Sequence, residues 1–211
     1  MKDELLTCSP NSANRSKESI NSSLFANDIA FERLYPEHLR SLSPKQWTPL
    51  EIVKKAAQFL AKPDTKILDI GSGIGKFCLA GAYYFPEALF FGVEQRYELI
   101  VLAEEAKHYT GLSNANFIHG NITQTNFDEF DHFYFYNAFY ENIDMLNRID
   151  DTIETSYSLY FYYTQYLLSV LKNKPSGTKI VTFHSSEGEI PPSYQLVDSS
   201  DDSLLKMWIK E

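Results

Sequence analysis

Between residues 66 and 184, short apolar runs alternate with stretches in which apolar residues recur every three or four positions. The runs at 66–70, 89–93, 115–119, 131–136 and 177–184 predict strands. The stretches at 75–85, 97–109 and 152–172 predict helices, the second through Leu99, Leu102, Ala103 and Ala106. Alternating β and α units of this kind predict an α/β fold, with a parallel sheet covered by helices on both faces. Two further runs, 194–197 and 204–209, are separated only by Asp198-Ser199-Ser200-Asp201-Asp202 and predict a closing antiparallel pair at one sheet edge.

Upstream, Trp47-Thr48-Pro49 predicts a helix start, with Thr48 as N-cap and Pro49 at the first helical position. Leu50, Val53, Ala56, Ala57 and Leu60 then follow at helical spacing, and the helix ends near Ala61, before Pro63. Residues 24–48 hold short apolar clusters punctuated by Pro36 and Pro44 and predict a helical or lid segment. Residues 1–23 are Ser/Asn-rich without periodicity and predict a loosely attached polar arm. The remainder, 49–211, is expected to form one α/β domain.

Composition narrows the class. The 211 residues carry 28 acids against 19 Lys and Arg, a formal charge of −9, which weighs against sequence-independent nucleic-acid binding. Two cysteines, Cys8 and Cys78, are too few for a disulfide framework, and a reducing, cytoplasmic setting is expected. No apolar stretch is long enough to span a membrane, and Met1-Lys2-Asp3-Glu4 lacks a signal-peptide layout. Five scattered histidines without ligand spacing predict no metal site. Charge position matters more than its sum: eight acids and one base, Arg148, fall between Asp128 and Glu154.

A glycine-rich turn, Asp69-Ile70-Gly71-Ser72-Gly73-Ile74-Gly75-Lys76-Phe77, joins the first strand of the alternating series to its helix. Such turns let the backbone approach a ligand, and the helix N-terminus offers N–H donors. A phosphate-binding loop fails on spacing, since three residues rather than four separate Gly71 from Gly75, and Phe77 replaces the hydroxyl residue. A dinucleotide loop is weakened because Lys76 occupies the position of its third glycine. Asp69-x-Gly71-x-Gly73-x-Gly75 resembles, at every position, the first motif of class I S-adenosylmethionine-dependent methyltransferases.

That resemblance implies a Rossmann-like fold, S-adenosylmethionine as cofactor, and a loop of Gly71, Ser72, Gly73 and Gly75 around its methionine part. Glu94, with Gln95 beside it, ends the second of these strands, where such enzymes hold ribose hydroxyls. Asn121, followed by Ile122, stands where the family usually has Asp, and its carbonyl oxygen is expected to accept from the adenine amino group. Trp47 and Thr48 resemble a segment that lids the cofactor in some members; a capped helix start with Trp47 in the core fits equally. Asn137-Ala138-Phe139-Tyr140 ends the fourth strand at the acceptor-facing position and assigns Asn137 and Tyr140 to the acceptor. It is reminiscent of the Asn-Pro-Pro-Tyr motif of amino-methylating enzymes, with both prolines replaced. A looser likeness is to the non-SET histone-lysine methyltransferases.

Glu141, Asp144, Asp150 and Asp151 are then expected at the acceptor entrance, where a negative field concentrates cations. The expected acceptor is amine-bearing or basic, such as a protein side chain or small amine, with nucleic acid disfavoured. Phe133, Tyr134, Phe135 and Tyr136 are expected to be buried in a central strand. Tyr157, Tyr160, Phe161, Thr164, Leu168 and Leu171 are expected to form one packing face. Two alternatives stay open: an NAD(P)-dependent oxidoreductase on the same sheet, and a non-catalytic S-adenosylmethionine-binding paralogue.

Overall fold

The computed structural model describes residues 22–211 apart from Met145; most of the predicted polar arm, with Cys8, lies outside the described residues. Three short helices, α1 (Asp28–Glu32), α2 (Glu37–Arg40) and α3 (Ser43–Gln46), precede α4 (Leu50–Leu60). The alternating series follows as β1 (Lys66–Ile70), α5 (Lys76–Tyr84), β2 (Leu89–Glu94), α6 (Tyr97–Thr110), β3 (Ala115–His119), β4 (His132–Tyr136), α7 (Tyr157–Lys172) and β5 (Lys179–Phe183). A hairpin of β6 (Tyr194–Ser199) and β7 (Leu205–Lys210) closes the chain.

The sheet order is β3-β2-β1-β4-β5-β7-β6. β1 to β5 are mutually parallel, β7 is antiparallel to β5, and β6 forms the edge. Strand alternation divides the apolar residues between two cores. Ile67, Phe90, Tyr134 and Val181 face α4, α5 and the N-terminal helices. Leu68, Ile70, Phe133, Phe135 and Ile180 face α7, chiefly its Leu167 and Leu171. Phe133, Tyr134 and Phe135 are buried as expected of a strand covered on both faces, whereas Tyr136 at the strand end is half-exposed.

Three local expectations are corrected. Thr48 does not cap α4: Pro49 occupies the cap position with φ −58° and ψ 143°, and the first-turn N–H of Leu50 donates instead to the Asp28 carboxylate at 3.0 Å. The Thr48 hydroxyl instead pairs with the Tyr134 hydroxyl at 2.8 Å, a buried bond across the fold that replaces the local one. The helix expected from residue 152 begins at Tyr157, where the Ser156 hydroxyl accepts from Leu159 N–H at 3.2 Å. Just upstream, Asp150 accepts from both the N–H and hydroxyl of Thr152, a local turn that competes with helix formation. The packing face of α7 is also rotated: Thr164, Leu167 and Leu171 are buried, while Tyr157 and Phe161 are exposed.

Lys174, just past α7, fastens that helix to the connection before β4. Its buried ammonium donates to the carbonyl oxygens of Phe127 and Phe130, both at 3.0 Å. Lys174→Met keeps the apolar stem but removes both bonds and leaves the Phe130 carbonyl without this donor, while the Phe127 carbonyl keeps only the Phe130 N–H. It is expected to lower stability by about 2–3 kcal/mol, measured as the shift in urea midpoint at unchanged slope.

Candidate functional site

In strand order, the sheet reverses between β1 and β4, since β2 and β3 lie on one side and β5 on the other. Open α/β sheets bind ligands outside the carboxyl ends of the strands at that divide. A cavity of about 430 Å³ lies there. Trp47, Thr48, Asp69, Gly71, Ser72, Gly73, Glu94, Gln95, Asn121, Ile122, Asn137 and Tyr140 all line it. Of the residues expected at the site, Gly75 does not, and of the acids expected at the entrance Glu141 and Asp144 line it whereas Asp150 and Asp151 do not.

The loop after β1 is shaped by positive φ angles of 74°, 52° and 79° at Gly71, Gly73 and Gly75. At Gly71 a Cβ would stand 2.5 Å from the Cβ of Ala138, so the bare backbone lets the loop touch the end of β4. Gly75 faces away from the cavity. A Cβ there would stand 2.5 Å from the Phe117 ring, so this glycine packs α5 against β3 and has no ligand-facing role. Gly73 has nothing within 4 Å of its Cβ position, on the cavity side of the loop.

Two carboxylates line this wall. Glu94 accepts Gly73 N–H at 3.1 Å on one oxygen and Arg96 N–H at 2.8 Å on the other. Each oxygen retains a lone-pair direction, which fits a vicinal diol. Burial raises the Glu94 pKa, opposed by those two N–H groups and by the Arg96 charge. Asp69 is pushed well above the usual carboxylate range by burial and then by the Glu94 charge, against a hydrogen bond from the Cys78 thiol. Beside them the Ser72 hydroxyl is buried on the cavity wall without a partner. An orphaned hydroxyl, two buried acids and a glycine cradle fit a polar, positively charged ligand bearing a diol, which describes S-adenosylmethionine.

Asn121 departs from expectation. Its Oδ1 accepts from the N–H and hydroxyl of Thr123, both at 3.0 Å, and its Nδ2 donates to Gln95 and to the Tyr163 hydroxyl. With both ends of the carboxamide engaged, it builds the turn at 121–124 and has no oxygen free for an adenine amino group. Trp47 is packed edge-on to Tyr35 at 5.2 Å in the core and also lines the cavity.

On the acceptor side, Asn137 holds φ 44°, a left-handed conformation that Asn tolerates. The next turn places Tyr140 half-exposed at the cavity and buries Phe139. His184 also lines the cavity, whereas His119 is exposed and bonds the Gln95 carbonyl. β4 splits the acidic segment: Asp128, Glu129 and Asp131 precede the strand, away from its carboxyl end. Glu141 and Asp150 instead hold Arg96, through contacts of 2.5 and 3.0 Å. Asp151 pairs with Arg148 and Asp144 accepts from Asn147. Arg96 is the main residue missed from sequence. Its one signal was an excess of acids in need of a cation.

A family model described as a methyltransferase domain matches residues 61–201. Two curated tRNA (guanine-N(7)-)-methyltransferases match locally: that of Microcystis aeruginosa is 44% identical over 55 residues, 26% of each chain. That of Thermosynechococcus vestitus is 32% identical over 85 residues, 40% of each. The matched segments thus span well under half of those relatives. Among solved structures, an RNA methyltransferase from Salinibacter ruber in complex with S-adenosyl-L-homocysteine superposes with TM-score 0.55 at 20% identity, over 77% of this chain and 92% of that one. TrmN from Thermus thermophilus gives 0.57 at 15% identity, over 86% and 53%. At these identities the two structures establish the shared fold.

The wall geometry generates two predictions. Gly73→Arg fills open space at a left-handed position, so it is expected to cost only about 1–2 kcal/mol of stability yet to weaken S-adenosylhomocysteine binding at least a hundredfold, measured by calorimetry. The raised carboxyls of Asp69 and Glu94 contribute stability that is fully present below the ordinary carboxylate range and lost as pH rises through their folded-state values. Asp69→Asn is therefore expected to raise the thermal midpoint of the ligand-free protein near pH 7 and to flatten its rise on acidification. The same substitution is expected to weaken S-adenosylmethionine binding at least tenfold.

Proposed function

The chain belongs to the methyltransferase-domain family, and on that premise we propose that it moves the methyl group of S-adenosylmethionine to a nitrogen of an amine-bearing or basic acceptor. The acceptor is delivered to the end of β4. When bound, the cofactor supplies an electrophilic methyl on a sulfonium. Glu94 holds the ribose diol, Asp69 and Glu94 offset the positive charge, and the Gly71–Ala138 contact sets the loop against the acceptor strand end. Asn137 and Tyr140 then orient the nitrogen in line with the methyl, the positioning on which displacement chemistry chiefly depends. The His184 imidazole, which also lines the cavity, is the assigned acceptor of the proton that a neutral amine releases.

The observation that carries the acceptor class is the rim. Tyr140 lines the cavity at 46% exposure; Tyr157, Phe161 and Tyr162, exposed at 70%, 66% and 54%, lie outside its lining on α7, which the Asn142 to Ser156 bond joins to the Tyr140 turn. No Lys or Arg occurs between Arg148 and Lys172, and Glu141, Asp150, Asp151 and Glu154 lie in or beside this stretch. Arg96 and Arg148 offset two of these four carboxylates, so a net negative charge remains. Exposed aromatic rings beside acids attract cations. A second reading, a guanine of tRNA, is favoured by the names of the two local relatives, although the acidic rim opposes a polyanion.

Labelled S-adenosylmethionine offered with a lysine-rich protein, small amines and bulk tRNA separates the two. Incorporation into the protein or the amines is expected, and labelling confined to tRNA transfers the assignment to the second reading. Asn137→Gly accommodates the left-handed backbone and removes only the carboxamide. It is expected to lower kcat about a hundredfold with S-adenosylhomocysteine affinity unchanged within threefold.

A further inference from the structure

We infer that Arg96 is a positioning residue that transmits occupancy of the cofactor site to the acceptor loop between β4 and α7. Its backbone and its side chain serve opposite sides of the site. The N–H at the start of α6 donates to Glu94 at 2.8 Å, and the other oxygen of Glu94 accepts Gly73 N–H. The glycine loop, the diol-binding carboxylate and Arg96 are therefore one hydrogen-bonded unit. The guanidinium leaves that unit for the acceptor side: Nε donates to Asp150 Oδ1 at 3.0 Å and the terminal nitrogens to the Glu141 carboxylate at 2.5 and 3.4 Å.

Both carboxylates are wired onward. Glu141 sits in the turn with Tyr140, and the neighbouring Asn142 accepts Ser156 N–H at the cap of α7. Asp150 organises the turn at Thr152. One side chain thus holds the acceptor loop at two points some ten residues apart in sequence. The Arg96 side chain is only 5% exposed, so a loop that departs leaves a buried cation without partners, the costly state for an ion pair. Near Asn147 the loop's tie to Lys45 and Gln46 is exposed and correspondingly weak, while Phe139 and Ile149 anchor it by packing. Ligand binding on Glu94 fixes the Arg96 backbone and with it the fork that orders the loop beside Asn137 and Tyr140.

This inference rests on the placement of the cofactor at Glu94 and is independent of the acceptor. Calorimetry with S-adenosylhomocysteine tests the placement, and hydrogen exchange in peptides covering 137–144 and 146–156 tests the coupling. In the unaltered protein, saturating S-adenosylhomocysteine is expected to slow exchange in both segments at least fivefold. Arg96→Gln keeps the backbone N–H but removes the charge beside Glu94, so it is expected to weaken S-adenosylhomocysteine binding without abolishing it and, at saturation, to lose that slowing. Glu141→Gln, which leaves Arg96 and Glu94 in place, is expected to lose it in 137–144, and it decides the matter should Arg96→Gln not fold. Equal slowing in both folded variants, or no slowing in the unaltered protein despite binding, overturns the inference. Absence of binding overturns the cofactor placement itself.

Discussion

The contact between Gly71 and Ala138 is the constraint on which the site depends. It joins the glycine loop after β1 to the end of β4 at the point where the sheet order divides, and it tolerates no additional atom, since a Cβ on Gly71 would overlap that of Ala138. Because the two loops touch there, the wall beside the glycine loop and the end of β4 form one cavity. Ser72, Glu94 and Asp69 lie on one side of the contact and Asn137 and Tyr140 on the other.

Electrostatics around that contact are arranged at a cost to the empty protein. Asp69 and Glu94 sit buried side by side, and each is driven toward its protonated form by desolvation. A fold optimised for stability alone would not place two carboxyls there. A ligand that brings positive charge and hydroxyl donors removes the penalty, so the free energy withheld from folding becomes available to binding. The Ser72 hydroxyl, buried without a partner, belongs to the same pattern.

Charge on the acceptor side follows a different logic. The acids read along the chain as one block are divided by β4, and those beyond the strand are partly consumed in holding Arg96. What remains is an acidic rim with exposed aromatic rings rather than an open field of free carboxylates. Arg96 therefore connects the two sides of the cavity: its main chain bonds Glu94, the proposed diol-binding carboxylate, and its side chain holds the loop that follows Tyr140.

The periodicity of the chain determined the order of strands and helices, because alternating apolar runs admit few packings other than a parallel sheet between helical layers. Glycine spacing located the ligand loop, since left-handed backbone at Gly71 and Gly73 is a local requirement that only residue type satisfies. Partners distant in sequence lay beyond such reasoning. Thr48 reads locally as a cap and bonds Tyr134 instead; Asn121 reads as an adenine ligand and spends its carboxamide on Gln95, Thr123 and Tyr163. Gly75 reads as part of the binding loop and packs against Phe117. Arg96 carried no sign of its burial, because a guanidinium is held inside a protein only by acids that the fold brings to it, here from 45 and 54 residues away. Local conformation and period are properties of neighbouring residues, whereas desolvation and hydrogen-bond partnership exist only once the chain has closed on itself.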